Sequence, residues 1–103
     1  MDVHQKYGTV EHYHFDWLTP TGDYPNSAVM IVGCRDGRWI IVQEFGGDYG
    51  NFDGVLKNGD DLITQPTFYL DLESAAEAAF GMMKKIHPKY EDSTLREFLA
   101  ERS

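Results

Sequence analysis

The stretch that decides the fold is residues 27–45, SAVMIVGCRDGRWIIVQEF. Two runs rich in β-branched and aromatic residues, 27–35 and 38–45, flank Asp36-Gly37, a pair favoured by two-residue type I′ hairpin turns. Both faces of each run are apolar, as in strands that are covered on both sides. We therefore expect a central hairpin, and the two-residue turn would pair Cys34 with Trp39, Val32 with Ile41 and Ala28 with Phe45.

The flanking segments predict further strands. Residues 7–17 alternate, with five aromatic or β-branched positions on one face and His12, His14 and Asp16 on the other. Residues 19–26 are dense in turn formers and predict a loop. A second, short hairpin is expected around Asn58-Gly59, pairing residues 55–56 with 61–62, and residues 67–70 predict one more strand.

The C-terminal third predicts helices. A helix at about 72–87 follows Asp71, a suitable N-cap, and Pro88 ends it. A short C-terminal helix at about 94–101 is indicated by a capping-box pattern that begins at Thr94. Together these elements predict a single α+β domain spanning residues 1–103, with an antiparallel sheet of about three to five strands. The buried face of the first helix would consist of Leu72, Ala76, Ala79, Phe80, Met83 and Ile86.

Composition sets limits on the class of protein. The chain has 103 residues, 42% of them hydrophobic, which suits one domain with one core. The single cysteine, Cys34, has no partner for an internal disulfide and is expected to be a buried core residue with a raised pKa. The N-terminal residues lack a signal-peptide pattern, and no apolar run approaches the roughly 20 residues of a membrane span. We expect a cytoplasmic protein without membrane binding.

The charge balance points to basic partners. Seventeen acidic residues against nine basic ones give a formal net charge of −8, which disfavours direct binding to nucleic acid and favours cationic protein surfaces. Between Trp39 and Asp61 there are five acidic residues and one lysine. That window also contains a glycine-rich loop, residues 46–54, in which aromatic and polar side chains alternate. Aromatic residues are enriched in binding hot spots, so the predicted partner-binding set is Glu44, Asp48, Tyr49, Asn51, Phe52, Asp53, Asp60 and Asp61. The opposing interpretation is that Phe52 packs in the core and the loop only closes the fold.

Known cofactor motifs do not fit this loop. Aligned as a calcium-binding loop, it would place Tyr49 at the first ligand position and Asp60 at the last, where a bidentate glutamate is required. Its glycines match neither phosphate-binding pattern. We predict no cofactor, and we predict that the protein is not an enzyme.

One pair of histidines invites a metal hypothesis. His12 and His14 share a face of the predicted strand, and Asp16 continues it, which is a set of ligands used by zinc and non-haem iron. No third histidine or glutamate stands at a recognised spacing, and His4 is expected in a frayed end. Metal binding is therefore the weaker interpretation.

These features lead to a preferred function and two alternatives. The preferred one is a small acidic inhibitor, of the class of immunity, anti-restriction and anti-CRISPR proteins, that occupies a basic and nucleic-acid-binding surface of a partner protein. The first alternative is a metal- or small-ligand-binding domain that uses His12, His14 and Asp16. The second is an accessory domain that self-associates, as a homodimer, through an open strand edge.

Overall fold

A computed structural model describes residues 2–15 and 28–86, together with Thr94 and Arg96. The elements in chain order are helix α1 (Val3–Tyr7), strands β1 (Thr9–Phe15), β2 (Ala28–Cys34) and β3 (Trp39–Phe45), a 3₁₀ turn (Tyr49–Asn51), strand β4 (Val55–Leu56) and helix α2 (Leu72–Ile86). None of the helices in these ranges combines the length and apolar character needed to cross a membrane.

The four strands form one sheet in the order β1-β2-β3-β4. The α+β class is confirmed, and the predicted hairpin supplies the two inner strands. The antiparallel prediction holds for β1–β2 and β2–β3, but β4 pairs with β3 in parallel, which joins Ile41 to Val55 and Val42 to Leu56. The hairpin expected around Asn58-Gly59 is therefore wrong. Val55 and Leu56 are almost fully buried. Pairing with the edge of β3 allows both side chains to be buried, whereas a separate hairpin on the surface would leave one of them in water.

The hairpin turn is longer than predicted. Cys34 N–H donates to the Arg38 carbonyl at 2.8 Å, and Gly37 N–H donates to the Cys34 carbonyl at 3.0 Å, so the loop has three residues. Within this loop only Gly37 has a positive φ, 92°, and every residue with a positive φ in the described ranges is a glycine. A type I′ turn would require positive φ at Asp36 as well. The Asp36 carboxylate instead accepts from the Arg38 amide at 3.1 Å, which favours the longer loop.

The extra loop residue shifts the predicted register by one. Trp39 pairs with Gly33 and Ile41 with Ile31, not with Cys34 and Val32 as expected. A bulge between Ala28 and Val29 restores the predicted pair of Ala28 with Phe45. Gly33 is required here, because a Cβ on it would lie 2.8 Å from the Trp39 ring.

The N-terminal segment departs most from expectation. Residues 3–7 form α1. A capping box between Asp2 and Gln5 begins the helix, and Gly8, at φ 62°, ends it. The predicted strand therefore begins at Thr9 and not at residue 7. A bulge between Thr9 and Glu11 then changes the alternation, so Thr9 is buried whereas Tyr13 is 42% exposed.

The sheet is covered on both faces, as the apolar hairpin predicted. Helix α2 packs on one face through Ala75, Ala76, Ala79, Phe80 and Met83, with Leu72 and Ile86 partly buried beside them. The second face holds a smaller cluster around Val3, Val32, Ile40, Val42 and Leu56. The Asp71 cap is confirmed, since its carboxylate accepts from the Ser74 amide at 2.7 Å.

Two predicted elements have a different outcome. Residues 67–70 form no named strand, and Tyr69 makes one isolated antiparallel bridge with Trp39. The predicted C-terminal helix at about 94–101 lies outside the described residues, apart from Thr94 and Arg96.

Candidate functional site

The parallel pairing of β3 and β4 brings two acidic segments to one end of the sheet. Parallel strands run in the same direction, so the chain leaves β3 and β4 at the same end. Glu44 and Asp48 lie at the first exit, and Asp60 and Asp61 follow the second. We call this group of four carboxylates, Glu44, Asp48, Asp60 and Asp61, the acidic end.

A buried glutamine fixes both exits. Gln43 is only 9% exposed. Its side-chain oxygen accepts from the Gly50 amide at 2.7 Å, and its side-chain nitrogen donates to the Lys57 carbonyl at 3.2 Å. A single amide group thus connects the loop after β3 to the turn after β4. Sequence reasoning did not assign Gln43 a role, although one polar residue inside an apolar strand is itself a signal that it makes hydrogen bonds.

Asp61 organises the turn after β4. Its carboxylate accepts from the backbone amides of Lys57 at 3.0 Å, Ile63 at 3.1 Å and Thr64 at 2.9 Å. These hydrogen bonds, the one from Lys57 foremost, hold the pKa of Asp61 far below its usual range. Asp61 therefore keeps its negative charge while it shapes the backbone, because the donors in these three hydrogen bonds are neutral backbone amides.

The two aromatic residues of the predicted partner-binding set lie inward. Tyr49 is 1% exposed and belongs to the core, where burial, with a smaller contribution from the Asp48 charge, raises its pKa to about 12. Phe52 is half-buried against the same core, and the Lys85 ammonium lies 5.8 Å from its ring centre. The packing of Phe52 against the core is as the opposing interpretation expected, and Tyr49, which that interpretation did not name, is buried more deeply.

The remaining residues of that set are exposed, apart from Asp61, which is partly buried. Asn51 and Asp53 are both exposed, and Asp53 precedes the two-residue strand β4 whereas Asp60 follows it. Ile63, which was not predicted, is 97% exposed in the turn held by Asp61. Its sequence neighbours Leu62 and Thr64 gave no signal that distinguished it.

The histidine cluster differs from the one predicted. His12 is exposed on β1, Asp16 lies outside the described residues, and for His14 only the backbone is described. Within the described ranges no three His, Cys, Asp or Glu side chains are grouped so as to hold a metal ion. The structure instead brings His12 to His4, which the sequence placed in a frayed end. Their rings lie edge to face at 6.2 Å.

Cys34 is a core residue, as expected. It is 3% exposed, and burial, reinforced by the Asp36 charge, raises the pKa of its thiol. Trp39, which was predicted to pair with Cys34, pairs with Gly33 instead. The structural role of Cys34 is therefore supported by its burial and not by the predicted contact with Trp39.

Comparison with known proteins adds no assignment to this geometry. No protein-family model matches the chain, and neither the curated proteins nor the solved structures contain a match to it.

Proposed function

We propose that this protein is a small acidic inhibitor that docks its acidic end on a basic, nucleic-acid-binding surface of a partner protein. The observation that supports this proposal is the placement of four carboxylates at one end of the sheet by the parallel β3–β4 pair. Lys57 lies in the same turn, and the Lys6 ammonium donates to the Leu62 carbonyl at 3.1 Å, so the acidic end has four carboxylates against these two ammonium groups. Such a surface would speed encounter with a cationic protein and select against acidic ones.

Preorganisation supports the proposal further. Association costs free energy whenever loops must be ordered at the interface. Gln43 and Asp61 already hold the two acidic segments through hydrogen bonds to backbone groups. The carboxylates of the acidic end therefore start from a fixed backbone, and less ordering is required when a partner binds.

An apolar contact is available next to the charges. Ile63 projects from the turn that Asp61 organises and is almost fully exposed. Interfaces usually combine a desolvated apolar centre with a polar rim. The sequence suggested Tyr49 and Phe52 as the apolar contacts of the interface, but both rings pack inward. In the proposed interface Ile63 supplies this apolar contact instead.

The inhibitory mechanism follows from competition for one surface. Proteins that handle nucleic acids bind the phosphate backbone with Lys and Arg side chains. An acidic protein surface that contacts those side chains excludes the phosphates. This is the mode of action expected for the immunity, anti-restriction and anti-CRISPR class, and it requires no cofactor.

Two charge-reversal variants test where a cationic partner binds. Asp48→Lys/Asp60→Lys alters the acidic end, and Glu11→Lys/Glu77→Lys reverses two exposed carboxylates on β1 and α2. Both variants change the net charge equally. With an oligolysine peptide as the probe, NMR chemical-shift mapping should place binding at residues 44–48 and 57–64, and only the first variant should weaken it. Equal weakening by both variants, or shifts spread over every exposed carboxylate, would refute docking at the acidic end.

The inhibitory role needs its own measurement. Affinity capture from host lysate with the wild type and both variants should recover a nucleic-acid-handling protein that only Asp48→Lys/Asp60→Lys fails to hold. Adding wild-type protein to that partner should displace a bound oligonucleotide, and association should slow as salt shortens the Debye length from about 10 Å at 0.1 M to about 3 Å at 1 M. A captured partner that keeps its oligonucleotide would contradict inhibition.

A further inference from the structure

A small pocket lies on the α1 face of the sheet and reaches Gly59, which precedes Asp60 of the acidic end. Its volume is about 120 Å³. The apolar part of its lining comes from Val3 of α1 and from Met30, Val32 and Val42 on the inner strands. The backbone bond from Val3 N–H to the Gly59 carbonyl, 2.8 Å, closes one side. The pocket is therefore built from elements that are held together by the sheet and by this bond.

Three polar side chains converge on the same pocket because of the β1 bulge. In a regular strand Thr9 and His12 would lie on opposite faces. The bulge between Thr9 and Glu11 turns both toward the face that carries α1. The hydroxyl of Thr9 is hydrogen-bonded to Nδ1 of His4 and lies 3.3 Å from Nε2 of His12. All three residues line the pocket.

The shared hydroxyl couples the two imidazoles. A threonine hydroxyl has one proton to donate, and a neutral imidazole has one N–H and one lone pair. If Thr9 donates to His4, then His12 donates to Thr9, which leaves an N–H on His4 and a lone pair on His12. The opposite orientation exchanges these roles. In both orientations the neutral pair offers a ligand one hydrogen-bond donor and one acceptor.

We propose that this pocket binds a small neutral amide. One imidazole would donate to the amide carbonyl, the other would accept from the amide N–H, and the apolar tail would contact Met30 and Val32. The two imidazole rings lie edge to face with their centres 6.2 Å apart, and both line the pocket. A protein cavity of about 150 Å³ holds benzene, so this volume suits roughly five non-hydrogen atoms.

Charge distinguishes an amide from the competing ligand classes. Asp2 also lines the pocket, and the chain has a net charge of −8, so a carboxylate ligand would be repelled. A metal ion would find two imidazoles here and no group of three ligating side chains in the described part of the chain. His4 and His12 are exposed to solvent, and a purely apolar ligand would form no hydrogen bond with either ring. The pocket borders the acidic end at Gly59, but the amide proposal uses none of its four carboxylates, so either proposal can fail alone.

The test is an NMR titration of the full chain at pH 8. The probe is propionamide, compared with propionate, which is charged, and with N,N-dimethylacetamide, which lacks the N–H. Propionamide should give saturable shifts at His4, Thr9 and His12 with an affinity in the millimolar range. The other two probes should bind more weakly, by about 2- to 12-fold for the lost hydrogen bond in the case of the dimethyl amide.

Variants decide whether the polar triad is responsible. Thr9→Val keeps the shape and removes the hydroxyl, and His12→Phe keeps a ring on an exposed position, so the second variant remains informative if the first unfolds. Each should weaken propionamide binding by about 2- to 12-fold. Tyr13→Phe, whose ring lies on the other face against Trp39, should leave it unchanged. Shifts that do not saturate, propionate binding as tight as propionamide, or equal affinity in all three variants would overturn the proposal.

Discussion

Gln43 offers the sharpest test of how the acidic end is held in place. Gln43→Met keeps an unbranched side chain of similar length and removes both polar atoms. The Gly50 amide then loses an acceptor at 2.7 Å, and the Lys57 carbonyl loses a donor at 3.2 Å. A net hydrogen bond contributes about 0.5–1.5 kcal/mol. Taking the short bond near the upper value and the long one near the lower, we expect unfolding to require about 2 kcal/mol less free energy.

That loss is readily measured. For a domain of this size about 1 kcal/mol corresponds to a shift in Tm of about 4–8 °C, so Gln43→Met should melt about 10 °C lower. Urea denaturation followed by far-UV circular dichroism would give the free energy of unfolding directly.

The matched control for this variant is Gln43→Glu, which keeps the acceptor for Gly50 and cannot donate to Lys57 while ionised. Its deficit should shrink as the pH falls, because a protonated carboxyl group can donate again. A Gln43→Met protein within about 0.5 kcal/mol of the wild type would refute the view that this amide holds the two segments.

Three further predictions concern single residues. The pKa of Asp61 is depressed in the folded protein, so the stability that its carboxylate contributes is fully present above the ordinary aspartate pKa and is lost as the pH falls below that value. Urea titrations should therefore show the wild type losing more stability than Asp61→Ala between about pH 5 and pH 2. Burial raises the pKa of Tyr49 to about 12, so the free energy of unfolding falls as the pH rises above the ordinary tyrosine pKa of about 10. Tyr49→Phe should lose less stability than the wild type over that interval, and equal losses would contradict the burial of the hydroxyl. Gly54 has φ 81° and a Cβ there would overlap the Thr67 hydroxyl, whereas Gly37 has φ 92° and open space. Thermal denaturation should therefore show that Gly37→Ala costs about 1–2 kcal/mol for its left-handed backbone and that Gly54→Ala costs clearly more; equal losses would argue against the clash.

Local sequence patterns were sufficient where one segment determines its own structure. The α2 stripe and its Asp71 cap were predictable because helical spacing and capping are contained within a few consecutive residues. The doubly apolar runs around Asp36-Gly37 identified the two inner strands for the same reason. The register failed by one residue, since a single backbone angle at Asp36 decides between a two- and a three-residue loop.

The candidate sites depended on contacts between distant segments. The sequence showed that carboxylates are concentrated between residues 39 and 61, but the parallel pairing of β3 with β4 decided that the segments after these two strands leave the sheet at the same end. In the same way His12 was visible in the sequence, whereas its partner His4 was brought near by the capped α1 helix and by the bulge after Thr9.

The sequence by itself determined the fold class, the inner strands, the main helix and the excess of negative charge. These follow from periodicity, capping and composition, which are properties of neighbouring residues. Only the tertiary structure decided the direction of β4, the burial of Tyr49, the exposure of Ile63 and the meeting of His4 with His12. Each of these depends on which segment covers another, and that choice is made by the packing of the whole core.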